Sequence, residues 1–405
     1  MIRLEEAQKC IVEITNAIEH TQTVNLLDSI GYVLAQPIHA LFDQPPFTNS
    51  AMDGWAVRYE DVCLISEENS IELEVCGFQQ AGSAARTLEI KSAIEIATGA
   101  PVPQGADTVI KKEDVAVLQN KISISKPVKR FDNIRNQGED VHLGQVLLGE
   151  GEEIGAKHIG LIASQGIDKL TVFRKPRILY IATGDELIQV GYPREAYQIY
   201  NSNALSLAAL FSKAGCEFKD FGICYDTHNE LCEWIQRAID QKPDILVLTG
   251  GVSVGRYDYV KEVLESLKAD IFFHKVRIKP GKPILCAKIG NSLIFGLPGN
   301  PLSAQVGFYE FIVPAIQKLR RQVPLFLSEK KAILIKSVMG GQMHKFIVGF
   351  QKHENGNTFV EALEEVSGNV CVFAKGNCFI SIPESNKEFK AGELVTIQTY
   401  EERKI

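Results

Sequence analysis

The pattern of apolar and polar positions divides the chain into stretches with different periodicity. From Arg3 to His20, apolar residues recur every three to four positions, which predicts an amphipathic helix. From Ile71 to Ser125, short runs alternate apolar and polar residues between turn residues, a pattern typical of a small β domain. From Lys330 onward, similar alternation predicts a β-barrel-like domain.

The middle of the chain, residues 176–326, alternates continuous apolar runs with runs of helical spacing. The continuous apolar runs at 178–182 and 244–249 predict buried strands, and the spaced runs predict covering helices. The predicted strands are 178–182, 217–224, 244–249, 271–278, 283–287 and 293–296, and the predicted helices are 202–213, 229–240, 258–267 and 302–319. On the first of these helices, we expect Leu205, Ala208, Ala209 and Phe211 to face inward. Repeated strand-then-helix units predict a doubly wound α/β domain.

Composition and charge narrow the classes of function. The 405 residues are 45% hydrophobic, and the length suggests about two to four domains. A formal net charge of −7 provides no basic field for nucleic acid or an anionic membrane. The chain opens without a signal-peptide pattern and has no apolar run near the roughly 18 residues that span a bilayer, so we expect a cytoplasmic protein. Nine scattered cysteines without a CxxC pair indicate neither a disulfide framework nor a zinc cluster.

A glycine-rich loop, Thr249–Asp258 (TGGVSVGRYD), joins the third predicted strand of the middle domain to a predicted helix. Such turns lie at the carboxyl edge of a parallel sheet, where open α/β folds bind ligands. The following helix start offers free N–H groups to an anion. The loop matches neither the GxGxxG nor the GxxxxGK[ST] motif, so an ordinary tight turn stays open as an alternative.

Three acidic residues, Glu186, Asp226 and Asp258, each follow a predicted strand end. Each one alone is typical of a helix cap or a solvated loop. Parallel strands bring such residues to one sheet edge, where carboxylates can hold Mg²⁺ against substrate phosphates. Together with the glycine-rich loop, they favour a metal and phosphate site.

A cluster of four cations occurs in the same domain, at Lys275, Arg277, Lys279 and Lys282. Lys279 and Lys282 bracket Pro280-Gly281, which predicts a turn between two apolar runs. Their ammonium groups can bind phosphate or another oxyanion. The alternative is that they are solvated turn lysines.

Eight motifs in the chain closely resemble those of the MoeA family, and they occur in that family's order. They are Ser50–Ala56 (SAMDGWA), Thr98–Pro103 (TGAPVP), Gly138–Asp140 (GED), Thr183–Leu187 (TGDEL), Gln198–Asn203 (QIYNSN), Gly250–Gly255 (GGVSVG) followed by Asp258, Lys279–Pro283 (KPGKP) and Gly296–Pro301 (GLPGNP). The similarity runs from the first predicted helix to the C-terminus.

The resemblance implies that the protein is a molybdopterin molybdenumtransferase. In that reaction, molybdate is inserted into the dithiolene of adenylylated molybdopterin, and AMP is released in a Mg²⁺-dependent step. It also implies a homodimer, in which each active site lies between the central domain of one subunit and the second and fourth domains of the other. The molybdopterin adenylyltransferase and molybdoenzyme apoproteins are further implied partners.

The family architecture implies four domains. Residues 1–44 with 136–175 would form an elongated helical domain, 45–135 the small β domain, 176–326 the central molybdopterin-binding α/β domain, and 327–405 the C-terminal β-barrel-like domain.

Matching motif positions assigns candidate site residues. The implied catalytic residues are Asp53, Asp140, Glu186, Asp226 and Asp258, of which the last three would ligate the metal. The implied substrate-binding residues are Thr98, Arg135, Gly250, Gly251, Ser253, Gly255, Lys279, Lys282, Pro298 and Pro301. Of these residues, Asp53, Thr98, Arg135 and Asp140 would lie on the partner subunit's side of the shared active site.

The chain departs from the family pattern in two places. Asn136 and Gln137 follow Arg135 where family members often carry an arginine-rich run. In the C-terminal domain, Gln342 and Val348 stand where arginines are usual, which leaves His344 and Lys345 as nearby cations.

Three functions remain open at this point. They are the molybdenum-inserting transferase, the adenylyltransferase of the preceding step, and a carrier or scaffold for the pterin cofactor without turnover. The additional domains with the SAMDG and TGAPVP motifs favour the first over the second. Retention of all the acidic positions favours the first over the third.

Overall fold

The structure is a computed structural model that describes residues 1–66, 69–252, 259–323, 326–363 and 370–400. Its α-helices in chain order are α1 (Leu4–Ile14), α2 (Tyr59–Val62), α3 (Ala156–Ser164), α4 (Ser202–Lys213), α5 (His228–Ile239), α6 (Val260–Ser266), α7 (Pro301–Gly307), α8 (Val313–Leu319) and α9 (Val370–Lys375). A π-helical turn, Phe308–Ile312, joins α7 to α8. Within the described ranges, no helix is both long and apolar enough to cross a membrane.

The strands fall into two groups along the chain. Those before residue 176 are β1 (Thr21–Asn25), β2 (Val33–Leu34), β3 (Ile38–His39), β4 (Asn49–Ser50), β5 (Gly54–Val57), β6 (Ile71–Gln79), β7 (Ser92–Ile96), β8 (Thr108–Lys111), β9 (Val115–Leu118), β10 (Lys121–Ile124), β11 (Ile134–Arg135), β12 (Val146–Leu148) and β13 (Lys169–Phe173). Those after it are β14 (Arg177–Thr183), β15 (Leu187–Ile188), β16 (Ile199–Tyr200), β17 (Glu217–Cys224), β18 (Ile245–Thr249), β19 (Asp270–His274), β20 (Ile278–Lys279), β21 (Leu285–Ile289), β22 (Ser292–Leu297), β23 (Glu329–Leu334), β24 (Val338–Gly341), β25 (His344–Glu354), β26 (Asn357–Ala362), β27 (Cys378–Ile382), β28 (Ser385–Phe389) and β29 (Leu394–Thr399).

The chain divides into two compact units. The first comprises Met1–Ala35, Gly151–Ile154 and Leu170–Ile405, and the second comprises Gln36–Glu150 and Gly155–Lys169.

The centre of the first unit is a six-stranded sheet with strand order β17-β14-β18-β22-β21-β19. The pairs β14–β17, β14–β18 and β18–β22 are parallel, whereas β21 runs antiparallel to both of its neighbours. The order places later strands on both sides of β14, as crossover helices on both faces require. The predicted doubly wound α/β domain is confirmed.

Side-chain alternation along β14 shows how the two faces are covered. Ile178, Tyr180 and Ala182 pack with α1, α4, α7 and α8, whereas Leu179 and Ile181 pack with α5 and α6. All five side chains are buried. Full burial of one such aliphatic side chain contributes about 1.5–3 kcal/mol, so a strand with two apolar faces is stable only between two helical layers.

The predicted C-terminal barrel is also confirmed. Strands β25, β26, β23, β29 and β27 pair in that order, and β27 pairs back with β25 to close a five-stranded barrel. Strand β20 adds to it in parallel, with Ile278 opposite His344 and Lys279 opposite Lys345. The Lys279–Lys282 turn is therefore held between the sheet and the barrel of the same unit.

The second unit contains the predicted small β sheet. Its strand order is β8-β5-β7-β6-β10-β9, and its core includes Trp55, Val57, Leu73, Ile110 and Ile122. Two short antiparallel pairs, β3–β12 and β4–β11, bring distant loops of this unit together.

Three expectations about local structure are wrong. Helix α1 ends at Ile14 rather than His20, because Thr15 is extended and its hydroxyl donates to the Ile11 carbonyl at 2.6 Å. The strand predicted over 271–278 is broken at Lys275, whose φ of 74° lies in the left-handed region.

The third concerns α4, where Leu205 and Ala209 are exposed and Ala204 and Leu207 are buried instead. This helix is rich in Ala and Leu on adjoining faces, so periodicity alone did not fix its rotation.

Candidate active site

The carboxyl ends of four strands meet at one edge of the central sheet. Thr183 lies opposite Cys224, and Thr249 lies opposite both Ala182 and Leu297. The loops after β14, β17, β18 and β22 therefore begin side by side. This is the edge at which the sequence places the predicted site.

Gly250 and Gly251 begin the glycine-rich loop in the left-handed region, with φ of 92° and 61°. A Cβ on Gly250 would lie 2.3 Å from the Thr183 carbonyl oxygen and 2.7 Å from Thr183 Oγ1. The Gly250 N–H donates to the Leu297 carbonyl at 3.0 Å. Only glycine fits this close approach, so the loop is built to lie against the end of β14.

The described part of the loop ends at Val252. A ring nitrogen of His274, Nε2, lies 3.0 Å from the Val252 carbonyl oxygen, which links the loop to the end of β19. The predicted site residues Ser253, Gly255 and Asp258 lie outside the described residues.

The predicted acidic residues Glu186 and Asp226 lie on neighbouring loops of this edge. The Asp226 N–H donates to Asp185 Oδ1 at 3.1 Å, which joins the loops after β14 and β17. Asp185 and Glu186 are exposed, and Asp226 is half-buried. Asp185 was missed as a candidate, although its place in the TGDEL motif beside Glu186 is a sufficient signal.

These three residues offer the hard oxygen donors that Mg²⁺ takes. Among the residues that the structure describes, no three His, Cys, Asp or Glu side chains are grouped closely enough to hold a metal ion by themselves. Mg²⁺ is commonly bound through one or two carboxylates together with substrate phosphates and waters. The donor set fits that mode.

Two helices start at the same edge. Asn201 caps α4, with its Oδ1 accepting from the Ala204 N–H at 3.2 Å, and Asn300 caps α7, where Pro301 occupies the first turn. The Asn203 side-chain amide donates to the Gly299 carbonyl at 2.9 Å and so joins α4 to the loop containing Pro298. At α7 the first-turn N–H groups are already used, because Pro301 has none and the Leu302 and Ser303 N–H groups donate to Asn300 Oδ1 at 3.0 and 3.4 Å. Of the two helix starts, that of α4 is therefore the one that suits an anion.

Beneath this edge lies a buried polar network that sequence reasoning missed. The Tyr180 hydroxyl lies 3.2 Å from Asn201 Oδ1 and 2.6 Å from Thr249 Oγ1. Thr183 Oγ1 is buried, and it has no hydrogen-bond partner among the described residues. Tyr180 lies in an apolar run of the sequence. The pattern predicts that its ring is buried, but it does not predict which residues its hydroxyl contacts.

Lys279 and Lys282 border two different cavities. Lys279 lines a pocket of about 270 Å³ with Met339, Lys345 and Leu363. Lys282 lines a groove of about 570 Å³ whose other residues include Met1, Arg277, Gln342, Glu384 and Ser385. His274 at the end of β19 pairs with Leu285, so the segment between them leaves the sheet at the carboxyl edge.

The C-terminal departures from the family pattern have different consequences. Gln342 lines the groove beside Lys282, whereas Val348 is fully buried in the barrel. Burial lowers the pKa of His344, whose ring packs 4.8 Å from that of Phe346, and this disfavours the cationic form of its side chain. The Lys345 ammonium donates to the carbonyls of Met339 and Gly340 at 2.9 and 2.8 Å and so supports the β24 turn.

In the second unit, Asp53 and Thr98 are in direct contact. Asp53 Oδ1 accepts from the Thr98 N–H at 2.8 Å and from its hydroxyl at 3.1 Å, and these bonds lower the pKa of Asp53. A Cβ on Gly54 would lie 2.0 Å from the Ile110 carbonyl oxygen, so the SAMDG motif needs a glycine there. The carboxylate is thus held ionised and oriented.

Arg135 and Asp140 lie on other segments of the second unit. Arg135 pairs with Asn49 in the short β4–β11 ladder, and the neighbouring Ser50 accepts from the Gly99 N–H at 2.8 Å. Ser50 thereby brings the SAMDG, TGAPVP and Arg135 segments together. Asp140 lies in a separate turn, where its N–H donates to the Gln44 carbonyl at 3.0 Å.

Family models match three parts of the chain. Residues 2–166 match the MoeA N-terminal region (domain I and II), residues 179–318 match a probable molybdopterin binding domain, and residues 340–400 match the MoeA C-terminal region (domain IV).

Known proteins match the chain over nearly its whole length. It is 35% identical over 408 residues to the molybdopterin molybdenumtransferase of Haemophilus influenzae, covering 99% of both chains. It is 34% identical to that of Staphylococcus epidermidis, covering 98% of this chain and 95% of the relative. Among solved structures, a molybdopterin biosynthesis MoeA protein from Pyrococcus horikosii matches with a TM-score of 0.86 and 30% identity, covering 99% of this chain and 100% of that one.

Proposed function

The chain belongs to the MoeA family, and from that premise we propose how its own residues carry out the family's reaction. It is a molybdenumtransferase of molybdenum cofactor biosynthesis that inserts molybdenum into molybdopterin. We infer that the pterin substrate is adenylylated, that molybdate is the molybdenum donor, and that AMP leaves on insertion.

One observation supports the central sheet edge as the reaction site. Gly250 and Gly251 lie against Thr183, and Gly250 is also close to Gly299 before α7. The acidic loops after β14 and β17 are joined at the same edge by the bond from the Asp226 N–H to Asp185. Backbone N–H groups at the α4 start suit phosphate oxygens, and the acidic side chains suit a metal ion that also contacts those phosphates. Such an edge can hold an adenylylated pterin by its phosphates.

We propose that Glu186, Asp226 and Asp258 hold Mg²⁺, with Asp185 orienting Asp226 through its backbone. The bound metal would neutralise charge on the phosphate as AMP departs. The α4 start, together with Gly250, Gly251, Ser253, Gly255, Pro298 and Pro301, would position the phosphates and the pterin.

Lys279 and Lys282 are proposed to bind oxyanions, either molybdate or substrate phosphate. In Lys279→Ala and Lys282→Ala, we expect the molybdate or pterin concentration for half-maximal rate to rise several-fold, because a charge-assisted bond is lost. The wild-type value should also rise with ionic strength, since salt screens exposed charges. The measurement is this concentration for each variant at two salt concentrations.

Lys213→Ala provides the matched control. Lys213 is exposed at the opposite end of α4 and should leave both substrate dependences unchanged. If the rate of each variant depends on substrate concentration as the wild-type rate does, both lysines are solvated surface residues without a role in binding.

We propose that the enzyme is a homodimer with shared sites, in which Asp53, Thr98, Arg135 and Asp140 of the second unit serve the partner's sheet edge. Mixing Asp140→Ala subunits with Asp226→Ala subunits should then restore roughly a quarter of the wild-type rate, because half of the dimers are mixed and each holds one intact site. If subunit exchange is verified and no activity returns, each site lies within one chain.

The four-domain division proposed from the sequence places both sides of this cleft on separate domains. The central domain, 176–326, would supply the sheet edge, and 45–135 with 327–405 would supply the partner's surface. Limited proteolysis should release fragments near these boundaries, and cuts confined to their interiors would contradict the division. Transfer to and from the adenylyltransferase and molybdoenzyme apoproteins would occur at the same cleft.

A single experiment separates the candidate functions. Purified protein is incubated with adenylylated molybdopterin and Mg²⁺, with and without molybdate, and AMP release is measured alongside reconstitution of a cofactor-free molybdoenzyme. We expect AMP release that depends on molybdate. Consumption of ATP with unadenylylated molybdopterin would instead support the adenylyltransferase, and binding without release would support a carrier.

A further inference from the structure

Tyr180 places a hydroxyl inside the core, directly below the proposed site. Its side chain is fully buried in β14, and its ring packs 5.9 Å from that of Phe218. The hydroxyl contacts Asn201 Oδ1 at 3.2 Å and Thr249 Oγ1 at 2.6 Å. These partners are 21 and 69 residues away along the chain. One phenol therefore links three segments at the sheet edge.

Each partner of Tyr180 lies at the end of an element at that edge. Asn201 is the cap of α4, and the same Oδ1 accepts from the Ala204 N–H at 3.2 Å. Thr249 ends β18 and immediately precedes Gly250, whose backbone lies against Thr183. Movement of either partner would shift the helix start or the glycine-rich loop.

The hydrogen-bond directions are determined by chemistry. An amide oxygen only accepts, so the Tyr180 hydroxyl donates to Asn201 Oδ1. Because the Tyr180 hydroxyl has only one proton, which it donates to Asn201, the Thr249 hydroxyl must donate to the Tyr180 oxygen. Burial raises the pKa of Tyr180, so the phenol keeps its proton at physiological pH and the chain of donors is fixed.

We propose that Tyr180 is a positioning residue, whose hydroxyl holds the α4 start and the Thr249–Gly250 backbone in the geometry that binds the phosphates of the pterin substrate. This inference rests on the proposed location of the site at the sheet edge. Tyr180 itself does not touch substrate. Its effect passes through Asn201 and Thr249.

Tyr180→Phe is the test, because it removes the hydroxyl and keeps the buried ring. The net contribution of one buried hydrogen bond is about 1 kcal/mol, so we expect KM for adenylylated molybdopterin to rise about fivefold. Hydrogen exchange at the Ala204 and Gly250 amides should accelerate by a similar factor. In the double variant with Thr249→Val, the second substitution should add little, since it removes a donor whose acceptor is already absent.

Tyr309→Phe is the control, because it makes the same change in the same apolar cluster, on the π-helical turn. It should alter neither KM nor exchange at the two amides. Unchanged exchange in Tyr180→Phe overturns the inference, whatever the activity does.

Faster exchange with unchanged KM overturns it too, because the hydroxyl would then hold backbone that the substrate does not contact. The proposed function fails differently, through a wild-type protein that releases no AMP when molybdate is added.

Discussion

Asp226→Asn is expected to reduce the rate of molybdenum insertion by at least about a hundredfold, the usual effect of removing one charge-stabilising group from an active site. Asparagine has the same size, and the backbone bond from Asp226 to Asp185 does not depend on the Asp226 side chain. Folding should therefore be preserved while the proposed metal ligand loses its charge. The rate is measured as molybdate-dependent AMP release over a range of Mg²⁺ concentrations, and higher Mg²⁺ should partly restore it.

Asp220→Asn is the matched control for this substitution. Asp220 lies on the same strand, β17, but before its carboxyl end, and its carboxylate accepts from the Gly222 N–H at 3.0 Å. This variant should retain the wild-type Mg²⁺ dependence. Near-normal turnover of Asp226→Asn at low Mg²⁺ would show that Asp226 does not contribute to the site. Asp258→Asn is expected to behave like Asp226→Asn.

Glu310→Gln is expected to make the protein more stable than wild type at alkaline pH, by a few kcal/mol. Glu310 lies in the π-helical turn with 1% of its surface exposed. Gln8 donates to its Oε2 at 2.9 Å, whereas its Oε1 is buried without a partner among the described residues. Burial, with a smaller contribution from the charge of Glu329, raises the pKa of Glu310 to about 8.

The sign of the pH effect follows from proton linkage. The folded state binds the Glu310 proton more tightly than the unfolded state, in which the carboxyl has its ordinary pKa of 4.5. Its contribution to stability is therefore fully present below pH 4.5 and is lost progressively as pH rises to about 8. Glutamine carries no proton to lose, so its curve lacks this decline.

The measurement is the free energy of unfolding by denaturant across this pH range for wild type and Glu310→Gln. Glu13→Gln is the control, because Glu13 is exposed on α1 and its contact with Lys9 at 3.8 Å contributes little. Its curve should run parallel to wild type. Parallel curves for Glu310→Gln and wild type would show that Glu310 is ionised in the folded protein.

Much of the fold could be predicted because the signals are local. The strands predicted over 178–182 and 217–224 correspond to β14 and β17, and the helix predicted over 202–213 is α4. Glycines with positive φ or no room for a Cβ, such as Gly54 and Gly250, lie in motifs that the sequence itself displays. Strand and helix periodicity and turn chemistry depend on neighbours in the chain, so the sequence alone carries them.

The structure was needed wherever a residue's role depends on a distant partner. Periodicity indicates that Tyr180 and Glu310 lie among apolar residues, but only packing shows that Tyr180 reaches Thr249 and that Gln8 reaches Glu310, 302 positions away. Lys279 and Lys282 are three residues apart in the chain, yet they border different cavities because β20 joins the barrel. A buried polar group is stable only when specific partners surround it, and tertiary packing alone decides which partners those are.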